Sequence, residues 1–582
     1  MKSKKKLMNK IINQIKENKW IHYFIILIIG IILSVPLSKI QIRDTHDGCL
    51  HMLRLIGTED TLEIGQFPPL INQNYCRGAG YSMNLFYPPL VTYLPLLIKL
   101  FTSSYAIALK LFGAICIILS GITMYQFSYQ VTKRRGIALF SSILYMVAPY
   151  KLANVYKRFA IGEFTAMVFI PLVFLGLYNL FNQDKKKHYY IAIGAIGLML
   201  SHTVTTLYTA LFCIVYILFN IKKLKDKDII KKCIINVIFI LLVSMLFWMP
   251  LLEATHYAEY TIMDDKTMRT FGDFAYDNTI SFSQLFKNSG EENGTTFLIG
   301  IPTLVAIVLT IFVANKVENE YKDYYLISII FALISLFMVS IFFPWKLMPN
   351  IMCKLQYPWR MLGFFIFFIS FVCGVNINYI LNKIIKKDII KILISTGYIG
   401  ILVAYGIYTM SPFFADNMQK DEIYEKSILE NIKISHKQIN RDYMPLKALY
   451  LQDSYVKERE DKTYILNGNA EILNEEKENL KDILEIKDIQ KGTILEFPYY
   501  YYVGYEIKIE TENQTKIVEA TESEHGYLSC IIEEDIKEAT IKVEYVGTKI
   551  TYASYTISAI SLVIFIIYIV YERKKGEKDG KN

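Results

Sequence analysis

Asp47, His51 and Arg54 stand at i, i+4 and i+7 in the stretch RDTHDGCLHMLRLIGTEDTLEIGQFPPLINQNYCRGAGYSMNLFYPPLVTY, which runs from Arg43 to Tyr93. In a helix that spacing puts all three on one face. A carboxylate in that position can take a proton from a hydroxyl, an imidazole beside it can assist, and a guanidinium can clamp a phosphate. Asp44, His46, Glu59, Asp60, Glu63 and Arg77 share the stretch. A plain alternative fits the same spacing: an amphipathic surface helix whose polar side is solvated.

The elements that must position this loop are membrane spans. Of the 582 residues 53% are hydrophobic, mean hydropathy is +0.29, and apolar runs recur along the first 410 residues. A run of about 20 apolar residues crosses a bilayer as a helix, because its backbone amides are then satisfied internally. The net charge of +9 reads as an orientation signal and not as a nucleic-acid footprint, because of where it sits. Residues 1–19 hold seven lysines and one acid. The apolar run Trp20–Ser38 that follows is too long for a signal peptide, and Ser34-Val35-Pro36 is a poor cleavage site. It is an uncleaved first span with its amino end inside. The next basic turns are Lys133-Arg134-Arg135, Lys185-Lys186-Lys187, Lys222 to Lys232, Asn315 to Asp323, Lys383 to Lys391 and the tail from Glu572. All fall inside if spans run near 20–38, 104–131, 137–150, 163–181, 189–203, 205–220, 233–252, 296–314, 324–343, 360–381, 390–410 and 553–571. The expectation is an α-helical polytopic membrane protein of about twelve spans, both termini cytoplasmic. The first outer loop then covers 39–103, with Phe86–Phe101 re-entrant or interfacial because of Pro88, Pro89 and Pro95.

Short exposed pieces are expected at 151–162 and 344–359, and a longer loop at 253–295. The long segment 411–552 opens helically from Asp421 to Lys437 and then alternates like a strand at Tyr505, Ile507, Ile509 and at Ile541, Val543, Tyr545. It is expected to be a small extracytoplasmic, β-sandwich-like domain before the last span. Eight cysteines are scattered; Cys116, Cys213, Cys233 and Cys373 lie in apolar runs as small core residues, while Cys49 and Cys76 share the first loop and could bridge. No zinc spacing, Walker loop or nucleotide fingerprint is present, so direct use of ATP is unsupported. No cofactor is implied, and no metal is supported.

A resemblance rests on a series of short motifs. These are His46-Asp47 with His51 and Arg54, Gly65-Gln66-Phe67-Pro68, Gly78-Ala79-Gly80-Tyr81, and Phe86-Tyr87-Pro88-Pro89. They continue with Tyr156-Lys157-Arg158, Gly162-Glu163-Phe164, Leu200-Ser201-His202-Thr203 and Phe247-Trp248-Met249-Pro250, then Gln356-Tyr357-Pro358-Trp359-Arg360 and Asp442-Tyr443-Met444-Pro445. In that order the chain resembles a family of bacterial multi-pass membrane proteins labelled "6-pyruvoyl-tetrahydropterin synthase-related", with nothing of the pterin enzyme in it. Through them it resembles the GT-C class of membrane glycosyltransferases that use polyprenyl-phosphate sugars. The resemblance implies a catalytic acid in the first outer loop, where Asp47 stands, with Asp44 three residues earlier as the other candidate. His51 joins them as a catalytic candidate. Arg54, Tyr87, Arg158, Glu163, His202 and Arg360 are the candidates for holding substrate.

Under the twelve-span topology Arg54, Arg158 and Arg360 all lie at outer boundaries, where a lipid-linked phosphate would sit. Arg360 begins a helix after Pro358, at the end whose dipole favours anions; the alternative is interfacial snorkelling beside Trp359. Glu163 can be a helix N-terminal charge, His202 a structural histidine, and the pair Asp264-Asp265 a solvated loop. Two functions remain. One is sugar transfer from a polyprenyl-phosphate donor to an extracytoplasmic acceptor in the cell envelope; the other is a non-catalytic glycan-lipid flippase or exporter with an outer sensing domain. A transporter places ionisable groups deep in its spans, and here Lys110 alone stands out.

Overall fold

The computed structural model describes residues 18–182, 185–263, 271–286, 297–349, 357–414, 420–430, 441–451 and 459–579. Most of the basic amino terminus, the Asp264-Asp265 pair, Cys353 and Gln356 lie outside the described residues.

Among the described residues seven helices are long and apolar enough to cross a membrane: Lys19–Lys39, Tyr105–Thr132, Ile161–Asn182, Asn319–Val339, Pro358–Ile384, Asp388–Phe413 and Lys549–Lys575. Two bent pairs raise the number to nine if each is one span: Arg135–Val147 with Pro149–Tyr156, bent by 45°, and Lys227–Val243 with Met245–Tyr257, bent by 65°. The expected count of twelve took several shorter apolar runs as full spans. Three of those runs, at 189–203, 205–220 and 296–314, fold as the shorter helices Tyr190–Met199, Thr203–Phe219 and Ile301–Val308 followed by Thr310–Val313. Ten helical residues reach about 15 Å, half of a hydrocarbon core of about 30 Å. The centre of the bundle is Ile161–Asn182, with 94% of its most apolar window buried, whereas Asp388–Phe413 keeps only 17% buried and lies at the rim. Phenylalanines fill the space between: Phe127, Phe174 and Phe368 all meet Phe367 with ring centroids within 5.2 Å.

One expectation is corrected by the first bent pair. Residues 151–162 are no exposed loop: Pro149 starts a helix that turns back into the core, and Pro149–Tyr156 is buried along its whole length. The buried cation in this helix, Lys151, adds to Lys110 as an ionisable group within the apolar region.

Past the bundle the described residues form nine strands: β1 (Tyr464–Asn467), β2 (Glu471–Glu478), β3 (Lys481–Ile489), β4 (Ile494–Tyr500), β5 (Tyr505–Glu510), β6 (Thr515–Val518), β7 (Thr521–Glu522), β8 (Tyr527–Ile531) and β9 (Ile536–Tyr545). They make two antiparallel sheets, in the orders β1-β4-β8-β7 and β2-β3-β9-β5-β6. Alternation sets the faces: Leu484 and Ile486, Ile507 and Ile509, and Ile541 and Val543 point into the core while charges between them point out. Tyr499 of β4 and Tyr505 of β5 stack at 5.4 Å, joining the sheets. Of the helical opening expected from Asp421 to Lys437, the described part is the helix Lys420–Glu430.

That helix and the sheets clamp the first loop. Asp421 accepts from the backbone N–H of Ile42 and of Arg43, and pairs with Lys110 at 2.9 Å. One turn on, Glu425 accepts from the Ser104 hydroxyl and the Tyr105 N–H, placing a carboxylate at the start of the helix Tyr105–Thr132. Tyr500 donates its N–H to Ala79 O, and Lys477 Nζ to Gly78 O. Both Cys49 and Cys76 are free thiols: Cys49 Sγ meets the Tyr424 hydroxyl at 2.9 Å, while Cys76 is buried in the turn beneath β4 and β8.

Candidate active site

The loop helix Gly48–Glu63 begins one residue after Asp47. The cap of its first turn comes from Thr45, whose Oγ1 accepts from the Gly48 N–H at 3.1 Å. Only glycine fits there, since a Cβ at 48 would lie 2.3 Å from Ile42 O. With Thr45 as cap, the Asp47 side chain makes no capping bond, and its carboxylate has no hydrogen bond or ion pair among the described residues. Its place is fixed by backbone instead. His46 N–H donates to Lys157 O at 3.2 Å and Asp47 N–H to Arg158 O at 2.9 Å, which stitches the loop to the hairpin between the helices Pro149–Tyr156 and Ile161–Asn182.

That hairpin carries the cations. Phe159 takes a φ of 49°, in the left-handed region that an aromatic residue rarely adopts. The turn folds Arg158 back over Glu163. Tyr150, Asn154 and Arg158 are spaced by four residues and converge on the Glu163 carboxylate, which accepts from the Tyr150 hydroxyl, from Asn154 Nδ2 at 3.0 Å and from Arg158 Nη1 at 2.9 Å. Arg360, just inside the helical start at Pro358, brings its Nε to 3.7 Å from Glu163 and its guanidinium to 5.1 Å from the Tyr357 ring. Glu163 is 3% exposed and surrounded by donors, so its role is to fix two guanidinium groups. Among the described residues no group of three or more histidines, cysteines, aspartates or glutamates is arranged to hold a metal.

Burial is the largest influence on Asp47 and raises its carboxyl above the ordinary range; Arg158 and then Arg360 pull it back. The cations beside Asp47 are therefore these two, and not the two expected from helical spacing. His51 lies one turn further on, 1% exposed, with neither ring nitrogen hydrogen-bonded among the described residues, its ring edge-on to Tyr87 with centroids 5.4 Å apart. Burial keeps it well below the usual histidine range, hence neutral. Arg54 is 2% exposed; it stacks on Tyr87 at 4.1 Å and donates Nη2 to Val91 O at 3.2 Å. Asp47 is the N-cap of the loop helix and its carbonyl accepts from the His51 N–H at 3.1 Å. Asp44 is exposed and leans on Arg43 at 3.9 Å.

Tyr87 joins the two layers, with Arg54 and His51 below it and the field of Asp47 and Arg360 upon it. Gly162 is held to its size by the same junction: a Cβ would sit 2.8 Å from Ser201 O, 2.9 Å from the His202 ring and 3.0 Å from the Tyr87 hydroxyl. His202 caps the helix Thr203–Phe219, with Nδ1 accepting from the Thr205 N–H at 3.2 Å. Tyr150, Asn154 and Tyr443 were absent from the expected site. The first two carried a signal in their four-residue spacing to Arg158, and the third in the Asp442-Tyr443-Met444-Pro445 motif. Tyr443 stacks on Phe86 at 5.2 Å, beside Tyr87 and Arg54.

Known proteins resemble this chain at several levels. An uncharacterized protein of Lactococcus lactis subsp. cremoris (strain MG1363) is 30% identical over 342 residues, 57% of this chain. The match spans 55% of that relative, so the chain accounts for about half of its length. Two solved structures overlay loosely. Arabinofuranosyltransferase AftD from Mycobacteria gives a TM-score of 0.44 at 12% identity, over 67% of this chain and 27% of that one. The Archaeoglobus fulgidus oligosaccharyltransferase, in complex with Zn and sulfate, gives 0.41 at 13% identity, over 72% and 58%. At such scores a likeness assigns neither fold nor activity. The family described as bacterial membrane protein YfhO matches residues 81–522, a stretch that contains Tyr87, Arg158, Glu163, His202 and Arg360 and follows Asp47, His51 and Arg54. This description, and not the pterin-synthase-related label, is the one the match supports: the chain is a membrane protein of the YfhO family.

Proposed function

We propose that the protein is a membrane glycosyltransferase of the GT-C type, moving a sugar from a polyprenyl-phosphate donor to an acceptor on the extracytoplasmic side. The observation that carries this reading is the Asp47 carboxylate, unbonded among the described residues and fixed by backbone beside the Arg158–Glu163–Arg360 cluster. In the reaction the acceptor hydroxyl oxygen bonds to the anomeric carbon as its proton passes to Asp47, and the bond from that carbon to the donor phosphate oxygen breaks. The polyprenyl phosphate leaves with the bonding pair, and its charge is met by Arg158 and Arg360. Both arginines are held from behind by Glu163, so little reorganisation is needed as the charge develops. Tyr87 and His202 line the approach. Asp47, with no bond to lose, suits a base better than Glu163, whose oxygens are engaged.

The test is transfer or release of sugar by purified protein given a panel of polyprenyl-phosphate sugars. Turnover that depends on Asp47 supports the reading. One observation favours the transport alternative: Lys151 is buried in a bent helix pair, its Nζ without a hydrogen bond among the described residues and 3.8 Å from the centre of the Tyr145 ring. Movement of labelled lipid-linked sugar across vesicles without any transfer would favour that alternative.

A further inference from the structure

The bundle gathers positive charge at its end away from the strands, where three segments meet. The turn Lys185–Lys187 follows the central helix Ile161–Asn182, and the turn Ile221–Lys225 leads into the helix Lys227–Val243. The last helix, Lys549–Lys575, ends there in Arg573, Lys574 and Lys575. Lys186 donates Nζ to Lys575 O at 3.4 Å, Lys185 pairs with Asp226, and Lys223 donates Nζ to Asn182 Oδ1 at 2.6 Å. Behind them His188 lies 2.9 Å from the Tyr568 hydroxyl through Nε2 and 2.7 Å from Asn236 Nδ2 through Nδ1, so the three segments are tied together.

The acids in reach do not balance this charge. Asp226 is engaged by Lys185 and Asp228 by Lys232 at 2.8 Å, Asp323 stands near Lys223, and Glu572 is buried against Tyr568. Lys222, Lys225, Lys227 and Lys231 are exposed and have no acid partner among the described residues. At another basic turn Arg134 has one, Glu318 at 2.7 Å. Cations crowded without enough acids repel one another, and an anion from outside the chain relieves the repulsion. What lies beside them says which anion. Phe219, Ile221, Ile230 and Ile234 are exposed, each within three residues of one of these lysines. A ligand with phosphate at the lysines and hydrocarbon along those side chains is a lipid; a nucleic acid or an acidic protein leaves the apolar flank bare. We infer that this corner is a binding site for an anionic phospholipid, its phosphate held by Lys222, Lys225, Lys227 and Lys231 and its acyl chains lying along Phe219, Ile230 and Ile234. The site does not depend on sugar transfer.

The experiment titrates full-length protein in detergent with phosphatidylglycerol, cardiolipin and phosphatidylcholine. Native mass spectrometry counts the bound lipid, and thermal unfolding follows stability in parallel. An anionic lipid should bind about tenfold more tightly than phosphatidylcholine, less so as salt is raised, and should raise the unfolding temperature. Lys222→Gln, Lys225→Gln, Lys227→Gln and Lys231→Gln combined should cost about tenfold in that affinity, as expected when several lysines near an anionic surface each contribute. Arginine at the same positions should keep it, because charge is what is read. Lys383→Gln with Lys386→Gln and Lys387→Gln, exposed at another basic turn, should change little. Equal binding of all three lipids, equal loss in the two glutamine sets, or displacement of the lipid by inorganic phosphate overturns the inference.

Discussion

Because Thr45 caps the loop helix, the Asp47 side chain makes no bond among the described residues, and its replacement should separate chemistry from folding. Asp47→Asn is expected to lower turnover by about two to four orders of magnitude, with donor affinity kept by Arg158 and Arg360; stopped-time transfer assays and donor titration measure the two. Asp44→Asn, altering an exposed side chain beside Arg43, should change little, and an inactive Asp44→Asn with an active Asp47→Asn would move the base to Asp44. The pH profile carries the sign of burial. A carboxyl raised above its ordinary range accepts protons only above that raised value, so kcat/KM should fall on the acid side at a pH above the ordinary 3.8. At this scale the motifs in the sequence pointed to Asp47, Arg158, Glu163 and Arg360, which the fold brings into one neighbourhood, while His51 and Arg54 pack on Tyr87. Their burial against Tyr87 depends on the Phe86–Pro89 turn, which no spacing announces.

Arg360 enters the cluster at the start of a helix, so geometry as well as charge is set there. Arg360→Lys keeps the charge but loses the planar fork; donor affinity in a lipid-phosphate titration should fall, and undiminished affinity would remove Arg360 from the site. Gly162 sits where three elements touch. Gly162→Ala should cost about 1–3 kcal/mol in thermal unfolding and reduce transfer as well, since the new methyl presses on Tyr87 and His202. In the β sheets, Asp482 on β3 is raised from 3.8 to about 8, by burial first and then by Glu475. Between those values the folded state keeps a proton that the unfolded chain has released, so stability falls as pH rises through that window. Asp482→Asn should flatten the slope and raise the unfolding temperature at pH 8. Strand alternation had marked β5 and β9 correctly, since a pleated strand writes its faces into the sequence. The bends at Ala148 and Ser244 left less trace: hydropathy counts apolar length and is blind to direction.

For the whole molecule, the lysine distribution predicts that Lys225 and the strands lie on opposite sides of the membrane. Impermeant labelling of intact cells should modify a cysteine placed at Lys508 and spare one placed at Lys225; labelling of both would end the topology and the proposed function with it. Membrane character and the split into a helical part and a later strand-rich part were readable from composition. The clamp between them was not, because Asp421 and the segment it holds lie far apart in the chain.

That clamp orders the molecule in time. The N–H groups of Ile42 and Arg43 meet their acceptor 379 and 378 residues later in the chain. At about 5–20 residues per second, synthesis of the intervening chain takes roughly 20–75 seconds. Throughout that interval the first loop waits at the membrane surface, with its backbone partners unmade and its glycine-rich turn uncovered by β4. A ribosome that stops before Lys420 therefore leaves a bundle holding every arginine of the cluster but no finished loop. On the proposed reading, such a nascent chain cannot yet carry out transfer, which must wait until the segment from Lys420 onward has been made.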